Sequence, residues 1–278
     1  MTIRDQIFDE ERALYGLADA TVIGCTFDGP ADGESAFKEC RDLRVEDCHL
    51  RLRYPFWHDR RVLVRGCDLG EGCRAALWYD EDVTLENCRL EGVKALRECD
   101  RTRLSGCDIT SPEFAWRCRG VDMTDCRLTS EYPFFECRDL TLREVDMTGK
   151  YSFQYVENAR MDRVRFQTKD AFWHTKNVTV TDSVIRGEYL GWYSENLTLI
   201  RCHIAGTQPL CYCKGLTLID CTTEDCDLAF EYSEVEATVK GDIVSVKNPL
   251  AGHITVAGKI GEIIRDEFAR GECIIREV

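Results

Sequence analysis

The chain reads as all-β, a parallel β-helix of about twelve rungs, and three observations predict it. The tetrapeptide Leu-Thr-Leu-Ile occurs at 197–200 and again at 216–219, each time followed two places on by a cysteine. Aligning such cysteines resolves the sequence into columns with a step of 19 residues: Cys107, Cys126, Val145, Val164, Ser183, Cys202, Cys221 and Lys240. Cys88, Cys67, Cys48 and Cys25 extend that column upstream at steps of 19 to 23, and a second column runs Cys99, Cys118, Cys137, Val156, Thr175, Ser194, Cys213 and Tyr232. The third observation is local. Stretches such as "LTLI", "VTVT" and "VTLE" alternate apolar and polar residues, which is strand periodicity, in residue types that suit strands.

A period of 19 is too short for a helical hairpin repeat, which needs thirty residues or more. Corner-forming residues recur just before the alternating stretch: Asp42, Asp82, Gly120, Asp139, Asn158, Asn177, Asn196 and Gly215. Asn, Asp and Gly tolerate the left-handed backbone of a sharp corner. A circuit of strands and corners in one period is a rung of a parallel β-helix. Twelve rungs at about 4.8 Å each predict a rod on the order of 55–60 Å long. A leucine-rich repeat is the competing reading of "CRDLTLREVDM". Its second half should return through a leucine-bearing helical turn, whereas here that half is "YPFFECRD", "AFWHTKN" or "PLCYCKG", aromatic and without helical spacing.

In order, residues 1–20 are expected to cap the open edge as a short helix or an extended lid, 21–260 to form the helix, and 261–278 to close it with a charged strand. Rungs bury their inward side chains only against neighbours, so the stack is expected to be one domain. Cysteine trades with Val, Ser and Thr at fixed positions, the behaviour of a small buried side chain. No Cys-x-x-Cys pair of zinc spacing occurs, and no metal or cofactor is expected.

Composition narrows the partners. A net charge of −14 argues against a nucleic-acid backbone or an anionic membrane surface. An apolar share of 44% suffices for a large core, and 31% charged residues indicates a soluble surface. No stretch approaches a membrane span and no leader pattern opens the chain, so a cytoplasmic location is expected, where thiols stay reduced.

Candidate function lies on the third side of each rung. One column reads Trp57, Trp78, Arg97, Trp116, Phe135, Gln154, Trp173, Trp192, Cys211 and Phe230, and holds every tryptophan of the chain. The next reads His58, Tyr79, Glu98, Arg117, Glu136, Tyr155, His174, Tyr193, Tyr212 and Glu231. Neighbours on a strand face opposite ways, so one column is expected in the core and the other outside. The plainer assignment puts the tryptophans inside. Tyr155, Trp173, His174, Trp192, Tyr193, Tyr212 and Glu231 are the candidate ligand-binding residues, a platform suited to the apolar faces and hydroxyls of a sugar chain. Glu98, Arg117 and Glu136 on successive rungs are candidate catalytic residues. Two acids two rungs apart sit about 9.6 Å apart, near the roughly 6.5–9.5 Å of inverting glycosidases. An exposed ion-pair ladder worth about 0–1 kcal/mol is the structural alternative. Phosphate-loop, dinucleotide and nucleophile-elbow motifs are absent.

"ERALYGL", "YPFWHDRRVLV", "DAFWHTKNVTV", "GEYLGWYSENLTL", "LAFEYSEVEA", "VSVKNPLAG" and "GEIIRDE" together resemble an uncharacterised bacterial family, domain of unknown function 3737. The resemblance spans nearly the whole chain. It implies a right-handed, single-stranded β-helix of the pectin-lyase-like group and supplies no catalytic residues. That group includes polysaccharide-acting enzymes, from which this sequence departs in its shorter rungs and its lack of long loops around a cleft. The expected function is binding of a carbohydrate-like ligand along the aromatic and acidic face. A non-catalytic scaffold or protein-interaction module, and a polysaccharide hydrolase or lyase, are the alternatives.

Overall fold

The computed structural model describes residues 1–29 and 33–278. Three residues of the expected 21–260 span therefore lie outside the described residues. The chain forms a right-handed parallel β-helix of about 14 turns, against the twelve expected, and contains no helix among the described residues. Two compact units divide it, residues 1–141 and 142–278.

In the first unit the long strand of every coil pairs in parallel with the next. Thr2 lies opposite Thr21, Ala20 opposite Leu43, and Leu43, Val62, Val83, Thr102 and Val121 follow in register. The additional turns arise partly here, because residues 1–20, expected as a cap, already carry strands in register with the next coil. Short strands make a second face, stacking Phe8, Phe27, Leu50, Leu69, Leu90, Ile109 and Leu128. A third face stacks Phe37, Phe56, Leu77 and Leu96.

The second unit repeats the plan. Met161, Val180 and Leu199 are in register on its long-strand face, and Leu218, Ala237, Ile254 and Ile275 continue the stack. Met147, Phe166, Ile185 and Ile204 form its short-strand stack. Beyond residue 260, Ile260–Ile264 pairs with Ile243–Lys247, and Glu272–Glu277 pairs with Ala251–Val256.

All eight predicted corner residues have left-handed backbone, with φ from 53° at Asp42 to 67° at Gly120. Stacking makes the corners cooperative. Asn196 donates its amide to Asn177 (3.0 Å), and Asn177 donates to Asn158 (3.2 Å). In the first unit Arg61 makes a bidentate pair with Asp42, and Arg101 with Asp82. Alternating sign is what a column of charges about 4.8 Å apart requires, since like charges would repel.

All 17 cysteines are free and buried. Their hydrogen bonds explain the exchange with serine and valine. Cys48, Cys67, Cys88 and Cys202 each direct the thiol at the carbonyl two residues back, at 3.2–3.5 Å. Ser183 does the same at 2.6 Å and accepts the N–H of Val164. A hydroxyl reproduces the thiol's bonds, and valine keeps only its volume. Burial pushes the Cys40 and Cys73 thiols up to about 12, which keeps them protonated and unreactive.

In the second unit strict counting by 19 breaks down after Gly215. The strand Leu216–Glu224 carries a register shift, so Val239 and not Lys240 lies opposite Cys221. One extra residue precedes the next long strand, so Ser233 and not Tyr232 completes the second column. Its hydroxyl accepts the Cys213 N–H at 2.8 Å and it is fully buried.

Candidate ligand-binding face

The tryptophans are not in the interior. Before four of them the preceding residue fills it: Phe56, Leu77, Ala115 and Phe172 are buried, as is the Gly191 backbone before Trp192, whereas Trp57, Trp78, Trp116, Trp173 and Trp192 are half-buried on the outside. The neighbouring column also points outward. Expecting the two to face opposite ways assumed a strand, but the second column sits at a corner. Tyr155, His174, Tyr193 and Tyr212 have φ of 58°, 54°, 60° and 60°. Each such residue costs about 1–2 kcal/mol against ordinary backbone. Stacking returns about 0.5–1.5 kcal/mol per aromatic pair, so a continuous ladder is what makes aromatic corners tolerable.

That ladder occupies the second unit. Ring centroids are 5.1 Å apart from Tyr155 to His174, 5.0 Å from His174 to Tyr193 and 4.8 Å from Tyr193 to Tyr212, with interplanar angles of 0°, 7° and 13°. Parallel rings at this distance lie one above another, so their faces meet each other and their edges and polar atoms meet solvent. The flat platform expected from the sequence is instead a row of phenol hydroxyls and one imidazole, set at the rung spacing. Tyr155 and Tyr193 are 48% and 43% exposed. The hydroxyls of Tyr193 and Tyr212 make no hydrogen bond among the described residues. Burial, and then Glu231, hold the Tyr212 phenol above its ordinary range, which keeps it a donor.

Trp173 and Trp192 flank the row, stacked at 5.6 Å and 4°. Each indole N–H donates to a backbone carbonyl of the following coil, Tyr189 at 2.9 Å and Gln208 at 2.8 Å. They therefore buttress the row and have no donor left for a ligand. Glu231 leaves the row. The extra residue beyond Cys213 brings Tyr232 over Tyr212 at 5.7 Å, and Glu231 instead pairs with Lys247 at 2.9 Å. Tyr232 closes that end, its hydroxyl donating to the Phe268 carbonyl (3.0 Å) while the Arg270 guanidinium lies over its ring at 5.2 Å.

In the first unit the same positions are differently furnished. Trp57 stacks on Trp78 at 5.4 Å and His58 on Tyr79 at 5.0 Å. Cations cover the indoles: Lys38 lies 4.3 Å from the Trp57 ring and Arg97 5.3 Å from that of Trp78. The candidate catalytic residues follow on open surface. Arg117 binds Glu136 at 2.7 Å, and Glu98 is held by the adjacent Arg97 at 3.0 Å. Each acid has its own guanidinium, which is the ion-pair arrangement.

Two groups escaped the sequence reading. Asp59 and Asp80 continue the second cysteine column upstream, at 0% and 1% exposure. Asp59 accepts the Cys40 N–H at 2.6 Å and Asp80 the Asp59 N–H at 2.8 Å. Counting back from Cys99 by 19 and then by 21, the steps that separate Cys107, Cys88 and Cys67, would have found them. The other group is His203, which contacts Thr222 and Glu224, each at 2.9 Å, with Arg186 on the same carboxylate at 2.8 Å. It comes from adjacent coils of the short-strand face, a proximity visible only once the register is known.

Fold and site together define a parallel β-helix with a stacked aromatic edge. The chain belongs to the family of proteins of unknown function DUF3737, which it matches over residues 1–276. No curated protein matches it. Among solved structures it is similar to the catalytic domain of a GH87 α-1,3-glucanase in complex with nigerose, at 9% identity and a TM-score of 0.42 over 100% of this chain. The chain spans 63% of that domain's length. It is also similar to PfbA, a surface adhesin of Streptococcus pneumoniae (11% identity, 80% of this chain and 71% of that one, TM-score 0.35). A third similarity is to the periplasmic alginate epimerase AlgG (9% identity, 100% and 77%, TM-score 0.32).

Proposed function

We propose that the second unit binds a carbohydrate-like chain along the row Tyr155, His174, Tyr193 and Tyr212, without transforming it. The observation that carries this reading is the set of in-register phenols whose hydroxyls at Tyr193 and Tyr212 are unengaged by the protein. A run of hydroxyl-bearing residues offers complementary donors and acceptors at every step, while the ring edges give apolar contact. The row is built on corners locked by stacking, so a ligand meets it already ordered and little entropy is lost on binding. Seventeen buried free thiols fit a reducing compartment, and we place the protein in the cytoplasm.

The test is a panel of neutral oligosaccharides titrated calorimetrically against the wild-type protein and a Tyr193→Phe variant. Removing one hydroxyl while keeping the ring should weaken binding about fivefold to tenfold, the equivalent of a single hydrogen bond. A panel without a binder, or a binder indifferent to Tyr193→Phe, removes the assignment.

A further inference from the structure

The long-strand face of the second unit carries a charge pattern that a single chain does not explain. The rim where each strand begins holds Glu157, Lys176, Glu195 and Lys214, stacked coil upon coil. The opposite rim holds the corner residues Arg163, Asp182, Arg201 and Asp220, with φ of 50–54°. Signs alternate along both rims, and neighbours in the stack account for that: Lys176 lies 3.8 Å from Glu195, and Arg201 lies 2.6 Å from Asp182. The phase between the rims is a separate matter. In each of these coils the residue six places on carries the opposite sign. Six residues of strand span about 20 Å. Salt screens charges beyond about 8 Å, so the two rims of one coil do not sense each other.

We infer that this face pairs with a second copy of the chain, about a two-fold axis parallel to the helix axis, in a weak and salt-sensitive dimer. The inference does not rest on the carbohydrate reading. Such an axis reverses the strand direction and keeps each coil level with its counterpart, so the first rim of one copy meets the second rim of the other. Lys176 then meets Asp182, Glu195 meets Arg201 and Lys214 meets Asp220, and every contact occurs twice. A two-fold axis along the strands would instead set Glu195 against Glu195 and Lys176 against Lys214.

The middle of the face obeys the same symmetry. A residue midway between the rims meets its own copy, where a charge would repel itself. Thr179, Thr198 and Thr217 stand there, in register and half-buried, and their hydroxyls make no hydrogen bond among the described residues. Two places on from Thr217, Ile219 is 43% exposed. The axis brings it opposite Gly215, which has no side chain to obstruct it. Arg160 precedes the threonines in the stack and Glu236 follows them. A charge therefore falls on the axis at either end and limits the contact to three coils. That footprint is roughly 14 by 20 Å, well under the about 800 Å² per partner of a standard interface, hence a weak dimer.

Sedimentation equilibrium on the full chain, with no ligand present, tests this. At about 1 mM protein and low salt the wild type should approach twice the monomer mass. Raising the salt to about 0.5 M should weaken association about tenfold. Glu195→Lys alone and Arg201→Glu alone should each weaken it about tenfold or more, because like charges then meet at both contacts. An equimolar mixture of the two variants should regain it, since position 195 of one meets position 201 of the other with opposite signs. Each variant carries its own disturbance of the rim into the mixture, so recovery there separates pairing across the axis from an effect on folding. Circular dichroism of each variant should match the wild type. Thr198→Asp, on the axis, should abolish association both in low salt and in high. A wild type that stays monomeric at low salt, a mixture as dissociated as its components, or growth beyond a dimer overturns the two-fold pairing, and the carbohydrate reading stands or falls separately.

Discussion

The two units present the same aromatic positions to solvent and treat them in opposite ways. In the first, Lys38 and Arg97 lie over the paired indoles of Trp57 and Trp78. The ring column there gives way to Glu98, Arg117 and Glu136, tied up with guanidinium groups. In the second, the rings run on without interruption from Tyr155 to Tyr212, and no cation lies over Trp173 or Trp192 among the described residues. One repeat thus supports either a surface satisfied by its own ion pairs and cation–π contacts or one with hydrogen-bonding capacity to spare. Function is expected where that capacity is left over.

The contrast should be confined to the surface, and the largest effect tests that. Phe37 and Phe56 stack at 5.1 Å in the first unit, as Phe153 and Phe172 do at 4.9 Å in the second, all fully buried. Phe56→Ala and Phe172→Ala should each cost about 3–5 kcal/mol, the loss of a buried aromatic plus its cavity. Denaturant midpoints would measure it. A cost under about 1 kcal/mol at only one of the two sites would mean that the units differ inside as well.

A smaller effect separates the interiors at one column. Asp59 and Asp80 stand where the second unit has Val156, Thr175 and Ser194. Burial, with Asp80 adding repulsion, pushes the Asp59 carboxyl up to about 9. An unfolded Asp ionises near 3.9, so the native state holds a proton that the unfolded chain has released. Stability is then full below about pH 4 and declines as pH rises toward 9, at about 1.4 kcal/mol per unit for one acid. Between pH 6 and 8 the wild type should lose a few kcal/mol from this buried pair. The Asp59→Asn/Asp80→Asn double variant keeps both amide-accepting oxygens and should flatten that decline. Parallel curves for the two proteins across this range would exclude the buried pair as its cause.

Much of this was legible in the residues and some was not, for a physical reason. The rung length, the eight left-handed corners and the buried thiol column follow from steric and volume rules that hold at single positions, so a periodic sequence displays them. The two aromatic columns were expected to face opposite ways because alternation was extended through His174 and Tyr193, where the chain turns a corner. Tyrosine and histidine are not corner residues by intrinsic preference, and only the stack makes them so. The exchange of Glu231 for Tyr232 has a different origin. A single extra residue after Cys213 is invisible to a fixed count, and it is the pairing of Leu216 with Val235 that restores the register.

The smallest effect goes to the heart of the comparison. If the cations of the first unit cover its indoles, removing one should uncover the ring beneath. Lys38→Ala takes away the ammonium 4.3 Å from Trp57, a contact worth about 0.5–1 kcal/mol at an exposed site. Acrylamide quenching of tryptophan fluorescence should therefore increase in this variant, with a barely shifted unfolding midpoint. Lys169→Ala is the matched control, since its ammonium lies 5.3 Å from the ring of Tyr189 and leaves every indole as it was. Equal quenching in the two variants would show that the lysine shields nothing, and the first unit's aromatic pair would then be as open to a ligand as the row in the second.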